Sequence, residues 1–189
     1  KAGRWGFFPS VSAAWRLTEE SFLENFQDNI GDLKLRASYG MLGNQNVGPY
    51  QYQTYYFNYA NAYGFNNVIV GGSGFSLGNP QITWEKATTA NLRLDAELLR
   101  RRLFISFDVF DKTTSDILVE RDDVPELFGA GFPNYNAAKV RNRGWEVSAT
   151  YRIPGKNFQH TINFNIADNR NELVNYTFGA REQVLRKEE

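Results

Sequence analysis

Ala90-Asn91-Leu92-Arg93-Leu94-Asp95-Ala96-Glu97-Leu98 alternates apolar and polar residues without interruption. It closes a run, residues 82–98, that contains neither Pro nor Gly. Side chains on a strand point to opposite faces with period two, so this run has one greasy face and one wet face. At 17 residues it exceeds the usual globular strand of about 3–10 residues. A tilted strand crossing a bilayer needs roughly 9–11 residues, and large barrels carry strands beyond the membrane. The length points to a piece of an outer-membrane β-barrel.

Four further segments carry the same pattern. Residues 32–41 set Leu33, Leu35, Ala37, Tyr39 and Met41 against Lys34, Arg36, Ser38 and Gly40. Residues 103–109 place Leu103, Ile105, Phe107 and Val109 on one face, and Phe104 spoils the polarity of the other. Residues 144–152 oppose Trp145, Val147, Ala149 and Tyr151 to Glu146, Ser148, Thr150 and Arg152; residues 159–167 oppose Ile162, Phe164 and Ile166 to Thr161, Asn163 and Asn165. A sixth strand is expected over residues 7–16, interrupted by Pro9.

The links alternate in length. Residues 99–102 and 154–157 read as short hairpin turns, whereas 43–81 and 118–138 read as long loops rich in Gly, Asn and aromatics. Outer-membrane barrels have short periplasmic turns and long extracellular loops. Residues 18–30 depart from this: Thr18 as cap, Glu19 and Glu20 in a first turn, and Phe22, Leu23 and Phe26 on one face predict a small helix.

Composition agrees. The chain has 189 residues, 21 basic and 21 acidic, so no nucleic-acid partner is indicated. Aromatics make up 15%, which suits membrane girdles or a stacking surface. No 18-residue apolar stretch exists, which excludes a transmembrane helix but not a barrel. The absence of Cys removes disulfides and thiolate metal sites. The same alternation would also fit a soluble β-sandwich, for instance a carbohydrate-binding module with a Tyr-rich loop.

Several stretches resemble the SusC/RagA family of TonB-dependent outer-membrane transporters. They are Gly6-Phe-Phe-Pro-Ser-Val-Ser-Ala-Ala-Trp-Arg-Leu17, Leu33-Lys-Leu-Arg-Ala-Ser-Tyr-Gly40, Gly43-Asn-Gln45, Asn79-Pro80 with Thr83-Trp84-Glu85-Lys86, residues 107–118, and Val140-Arg-Asn-Arg-Gly-Trp-Glu-Val147. They follow in order over residues 4–170. The resemblance implies an all-β, antiparallel up-and-down fold, part of a barrel of about 22 strands with an N-terminal plug. It implies the outer membrane as location and import of glycans or peptides as activity. A SusD-like surface lipoprotein would act as lid, and the TonB complex would supply energy through the N-terminal part. Neither a plug nor a signal peptide is legible, so residues 1–189 are expected to be an internal fragment: about six strands from the C-terminal barrel region.

Candidate sites are few. The stretch 50–65 carries eight aromatics: Tyr50, Tyr52, Tyr55, Tyr56, Phe57, Tyr59, Tyr63 and Phe65. Rigid rings beside Asn and Gln can stack on sugar faces or pack against a lid, and the six Tyr are the candidate contact residues. A large loop also needs rings as its own small core, and that self-packing is the preferred reading. Gly71-Gly-Ser-Gly74 lacks the Lys and Ser/Thr of a phosphate cradle and reads as flexible loop. Glu120, Asp122, Asp123 and Glu126 lack the spacing of a calcium loop, so a solvated face is expected. His160 has neither a nucleophile elbow nor a second nitrogen ligand, and is expected to be interfacial. Lys34, Arg36, Arg93, Asp95, Glu97, Asp108, Glu146 and Arg152 would face a plug and lumen. Asn175-Tyr-Thr177 matches a glycosylation sequon that a bacterial outer-membrane protein would not normally use. No catalytic residue, metal or cofactor is expected.

Overall fold

A computed structural model describes residues 5–26, 30–45, 47–66, 68–121, 129–156 and 158–177. Its strands are β1 (Ser10–Arg16), β2 (Ile30–Asn44), β3 (Tyr55–Phe65), β4 (Val68–Ser76), β5 (Glu85–Leu98), β6 (Leu103–Val119), β7 (Tyr135–Ile153) and β8 (His160–Tyr176). Six form one antiparallel sheet in the order β1-β2-β5-β6-β7-β8, and β3–β4 form a separate hairpin.

The register aligns the apolar sets of all six strands. Trp15 lies opposite Leu35, Leu35 opposite Leu94, Leu94 opposite Phe107, Phe107 opposite Val147, and Val147 opposite Ile166. Since a slip of one residue would flip every side chain to the other face, this alignment produces a single continuous apolar band. Along β7 the band runs from Trp145 to Ile153, about 27 Å of strand at roughly 3.4 Å per residue. A tilt of about 40° brings that to roughly 20 Å of height, close to the ≈ 25 Å band of outer-membrane barrels.

Nothing covers this band among the described residues. The sheet is one layer, and among the described residues the buried apolar side chains are Ile82, Pro133, Ala137 and Ala138, beyond the band at the loop end. Phe107, Trp145, Ile162, Phe164 and Ile166 are all exposed. A soluble sandwich would seal these residues against a second sheet. The single-layer arrangement overturns that alternative.

The strands run longer than alternation alone predicts. β6 continues to Val119, β7 begins at Tyr135 and β8 reaches Tyr176. Beyond the band both faces meet water, so the backbone ladder persists while the apolar pattern fades. β1 begins after Pro9, which lacks an N–H for the ladder. β5 begins at Glu85, not Ile82, because residues 79–84 are held by hydrogen bonds described below.

Residues 17–26 form two 3₁₀-helices, Leu17–Glu19 and Ser21–Phe26. Thr18 does not cap the first. It is buried, and its hydroxyl donates to Asp32 Oδ1 at 3.0 Å. Glu20 instead accepts the Trp15 indole N–H at 2.8 Å. The β5–β6 turn holds Leu99, Arg100 and Arg101 at φ of 54°, 55° and 63°. Phe104, the residue that breaks the polar pattern, lies under the Arg152 guanidinium, 4.6 Å from its ring centroid.

Candidate functional site: the aromatic hairpin and the lumen face

The stretch expected to be loop is largely strand. β3 and β4 pair with Phe57 opposite Gly74 and Tyr59 opposite Gly72. A Cβ on Gly74 would come within 2.6 Å of the Phe57 ring, so the glycine provides the surface on which that ring lies. The Gly71–Gly74 segment is therefore neither flexible loop nor phosphate cradle. It is strand shaped to seat aromatics.

Period two then sorts the candidate tyrosines. Tyr55, Phe57 and Tyr59 share one face, with ring centroids 6.0 Å apart for the first pair and 5.1 Å for the second, the latter edge-to-face. Tyr56 lies on the other face and packs on Phe75 at 6.3 Å. Tyr50 and Tyr52 belong to the preceding turn, where Gln53 N–H donates to Tyr50 O at 2.9 Å and the Gln53 amide donates to Tyr52 Oη at 3.2 Å. Tyr50 has a φ of 64°. The Tyr63 backbone pairs with Val70, and its side chain lies outside the described residues. The five whose side chains are described are thus split between a turn and two hairpin faces. Tyr55 and Tyr59 remain about half exposed while packing on Phe57, which leaves ring faces open to solvent.

A hydrogen-bonded clamp anchors this hairpin to the sheet. Asn79, 6% exposed, donates from Nδ2 to Asn134 O at 2.9 Å and accepts the Gln81 N–H at 3.0 Å. Its backbone N–H donates to Gln51 O at 2.9 Å, and Gly78 N–H donates to Thr54 Oγ1 at 3.1 Å. Asn136 accepts the Thr83 N–H at 2.8 Å and donates to Thr83 O at 3.0 Å and Asp116 O at 2.7 Å. Glu85 accepts the Leu118 N–H at 3.0 Å and the Asn44 amide at 2.9 Å. Buried polar groups must be paired, and these pairs tie three long connections together. Nothing in the pattern around Asn136 marks it from sequence. Its partners are 53 and 20 residues away.

The opposite face of the sheet is polar, as the alternation requires. Arg36 and Arg93 face each other across β2 and β5, and Asp95 bridges them, pairing with Arg36 and, at 2.8 Å, with Arg93. Asn91 donates to Asp108 at 2.6 Å, and Ser106 and Ser148 share a 2.6 Å bond. Asp108 lies directly opposite Glu146. Together with Arg93, Ser106, Ser148 and Asn165 they line a depression of about 310 Å³. Among the described residues no group of three or more His, Asp or Glu has metal-site geometry. His160 is exposed at the start of β8, and Glu120 is exposed; Asp122, Asp123 and Glu126 lie outside the described residues. In the sequon, the Thr177 hydroxyl donates to Ala137 O at 3.1 Å.

A sequence-family model described as "TonB dependent receptor-like, beta-barrel" matches residues 1–186. The chain belongs to this family. TonB-dependent receptor P39 of Formosa agariphila is 38% identical over 173 residues, covering 90% of this chain and 16% of that protein. TonB-dependent receptor SusC of Bacteroides thetaiotaomicron is 33% identical over 186 residues, covering 95% and 18%. The solved structure of the RagAB peptide transporter superposes with a TM-score of 0.81 at 28% identity, over 95% of this chain and 19% of that one. The open-open state of the RagAB peptide importer superposes at 0.75, with 27% identity, over 91% and 18%. The chain therefore spans under a fifth of the length of these relatives. As a TonB-dependent receptor barrel segment it resides in the outer membrane, and the apolar band is its lipid-facing side.

Proposed function

We propose that this chain forms a sector of wall and extracellular rim in an outer-membrane, TonB-dependent importer of oligosaccharides or peptides. Residues 1–189 are read as part of the barrel domain, about six of its transmembrane strands. The observation that carries the reading is the single-layer sheet, whose apolar face no second layer covers among the described residues. Such a face is stable only against hydrocarbon, and the edge strands β1 and β8 need further barrel strands beside them.

The mechanism is mechanical and no residue here is assigned a catalytic role. Cargo is captured at the rim, where the Tyr55–Phe57–Tyr59 strip offers ring faces to sugar rings or peptide side chains. A SusD-like surface lipoprotein acts as lid over the rim. The TonB complex pulls the plug supplied by the rest of the protein, and cargo passes the polar face carrying Arg93, Asp108 and Glu146. The likeness to RagAB, a peptide transporter, supports peptide as one cargo class.

The test uses the full-length protein in its host. Tyr55→Ala combined with Tyr59→Ala should lower energised uptake, with barrel assembly unchanged, because stacking on one ring is worth roughly 0.5–1.5 kcal/mol. Folding of the whole protein in detergent-free buffer, outside any membrane, would overturn the reading.

A further inference from the structure

We propose that the rim hairpin selects an uncharged oligosaccharide. Its sugar rings lie against the Tyr55–Phe57–Tyr59 strip, and its hydroxyls bond to those of Tyr55, Tyr59 and Ser76. This rests on the reading of the chain as wall and rim of an importer, and commits that rim to one cargo class.

The hairpin and both of its connections carry no charge. All 21 basic and all 21 acidic residues of the chain, and its one His, fall outside residues 37–84. The first residues of that stretch belong to β2 and to the membrane wall, where a lipid-facing charge is destabilising. The remainder stands beyond the band, where the chain meets water and Lys, Arg, Asp and Glu are ordinarily surface residues. Here the water-facing groups are rings, amides and hydroxyls instead. The charges at the foot of the hairpin are already engaged. Lys86 pairs with Asp116 at 3.1 Å, and Glu85 accepts from the Leu118 N–H and the Asn44 amide.

What the strip does offer suits a neutral sugar. Tyr55 and Tyr59 are 54% and 53% exposed, and Phe57 lies between them on Gly74. Successive ring centroids are 6.0 Å and 5.1 Å apart, close to the advance per sugar along an oligosaccharide. The C–H face of a pyranose packs on an aromatic ring face. Ser76 is opposite Tyr55 and so shares the face of the strip. No hydrogen bond engages the hydroxyls of Tyr55, Tyr59 or Ser76 among the described residues. Each can donate and accept, as a sugar hydroxyl does.

Charge decides between cargo classes. Neither hairpin strand bears an ionised side chain, so an ionised cargo group held there would shed water without a counter-ion. Uronates and sulfated sugars carry such a group on every unit or two. A peptide brings an ammonium and a carboxylate at its ends and further charges along its length. The peptide class suggested by RagAB comes from overall likeness at 28% identity, whereas selection at the rim depends on the residues that meet the cargo.

Uptake by the full-length transporter in its host tests this. Neutral hexasaccharides of glucose, mannose, xylose and galactose are offered together with hexagalacturonate and tryptic peptides of casein. Mass spectrometry follows their depletion from the medium, against a strain lacking the transporter. Wild-type cells should deplete at least one neutral hexasaccharide about tenfold or more faster than hexagalacturonate or any peptide. Tyr55→Ala with Tyr59→Ala should slow that uptake about tenfold. Ser76→Arg, which sets a cation beside Tyr55, should narrow the neutral-to-acidic ratio about threefold or more. Heat-modifiable gel migration identifies variants that still form a barrel, and only those are scored; the wild-type preference is a test whatever the variants do. Depletion of no neutral hexasaccharide, faster depletion of hexagalacturonate or peptides, or neutral uptake unchanged in the tyrosine variant overturns the proposal. So does a tyrosine variant that loses a co-purifying lid protein, which would make the strip a protein contact. A protein that stays soluble without detergent refutes the importer reading itself, whereas an intact membrane barrel that imports charged cargo refutes only this selectivity.

Discussion

Phe107→Arg and Ser106→Arg are neighbouring substitutions whose consequences should differ by orders of magnitude. Phe107 projects from the middle of the apolar band, between Leu94 and Val147, while Ser106 points to the polar face, against Asp95 and Ser148. An arginine on the lipid face at the bilayer midplane destabilises a barrel by about 2–4 kcal/mol. At roughly 1.4 kcal/mol per decade, this is a shift of about thirtyfold to several hundredfold in the folding equilibrium. On the polar face an arginine at position 106 gains Asp95 as a neighbour and keeps access to water, so its effect should stay within about 1 kcal/mol. The distance along the strand matters too. At Thr113, on the same face as Phe107 but six residues nearer the loops, the same change should cost about 0–1 kcal/mol. The assay is denaturant unfolding of the full-length protein from lipid vesicles, followed by loss of heat-modifiable gel migration. Equal losses at 106 and 107, or a larger loss at 106, would refute the assignment of faces. Equal losses at 107 and 113 would refute the position of the membrane along β6.

Asn79→Ala removes a buried amide and leaves Asn134 O and the Gln81 N–H without their partner, each worth about 1–3 kcal/mol, so limited proteolysis should cut within residues 45–78 much faster than in the wild-type protein. Gly74→Val places a Cβ where the Phe57 ring now lies, so it should displace the ring and weaken cargo capture without changing barrel assembly, measured as uptake against heat-modifiable barrel content. Asp95→Asn leaves Arg36 and Arg93 facing each other, and should destabilise the barrel by about 1–2 kcal/mol, less at high salt, in unfolding titrations at two ionic strengths. Arg100→Gly in the β5–β6 turn exchanges a left-handed non-glycine residue for one that adopts φ of 55° freely. The gain of roughly 1 kcal/mol is offset by about 0.5–1 kcal/mol of unfolded-chain entropy, so stability in the same titration should hardly change.

The chain's own residue order determined the period-two pattern, and with it the strand class, the two faces and the alternation of short and long links. That reading is local: Leu92, Leu94 and Ala96 declare a common face because every second side chain on a strand points the same way. The family resemblance was equally legible, because motifs such as Asn79-Pro80 and Thr83-Trp84-Glu85 stand close together in sequence. Tertiary structure decided what local order cannot encode. Whether the apolar face is buried depends on the presence of a second layer, and the described residues supply none. The 43–81 segment looked like loop because its glycines and aromatics mimic turn composition. Only the cross-strand pairing of Phe57 with Gly74 and Tyr59 with Gly72 reveals a hairpin. That pairing also splits the tyrosines between faces. Asn136 clamps Thr83 and Asp116, and Arg143 meets Arg170, across separations of 20 to 53 residues. Contacts of that kind arise from strand register, which is fixed by the whole sheet at once rather than by any one stretch of chain.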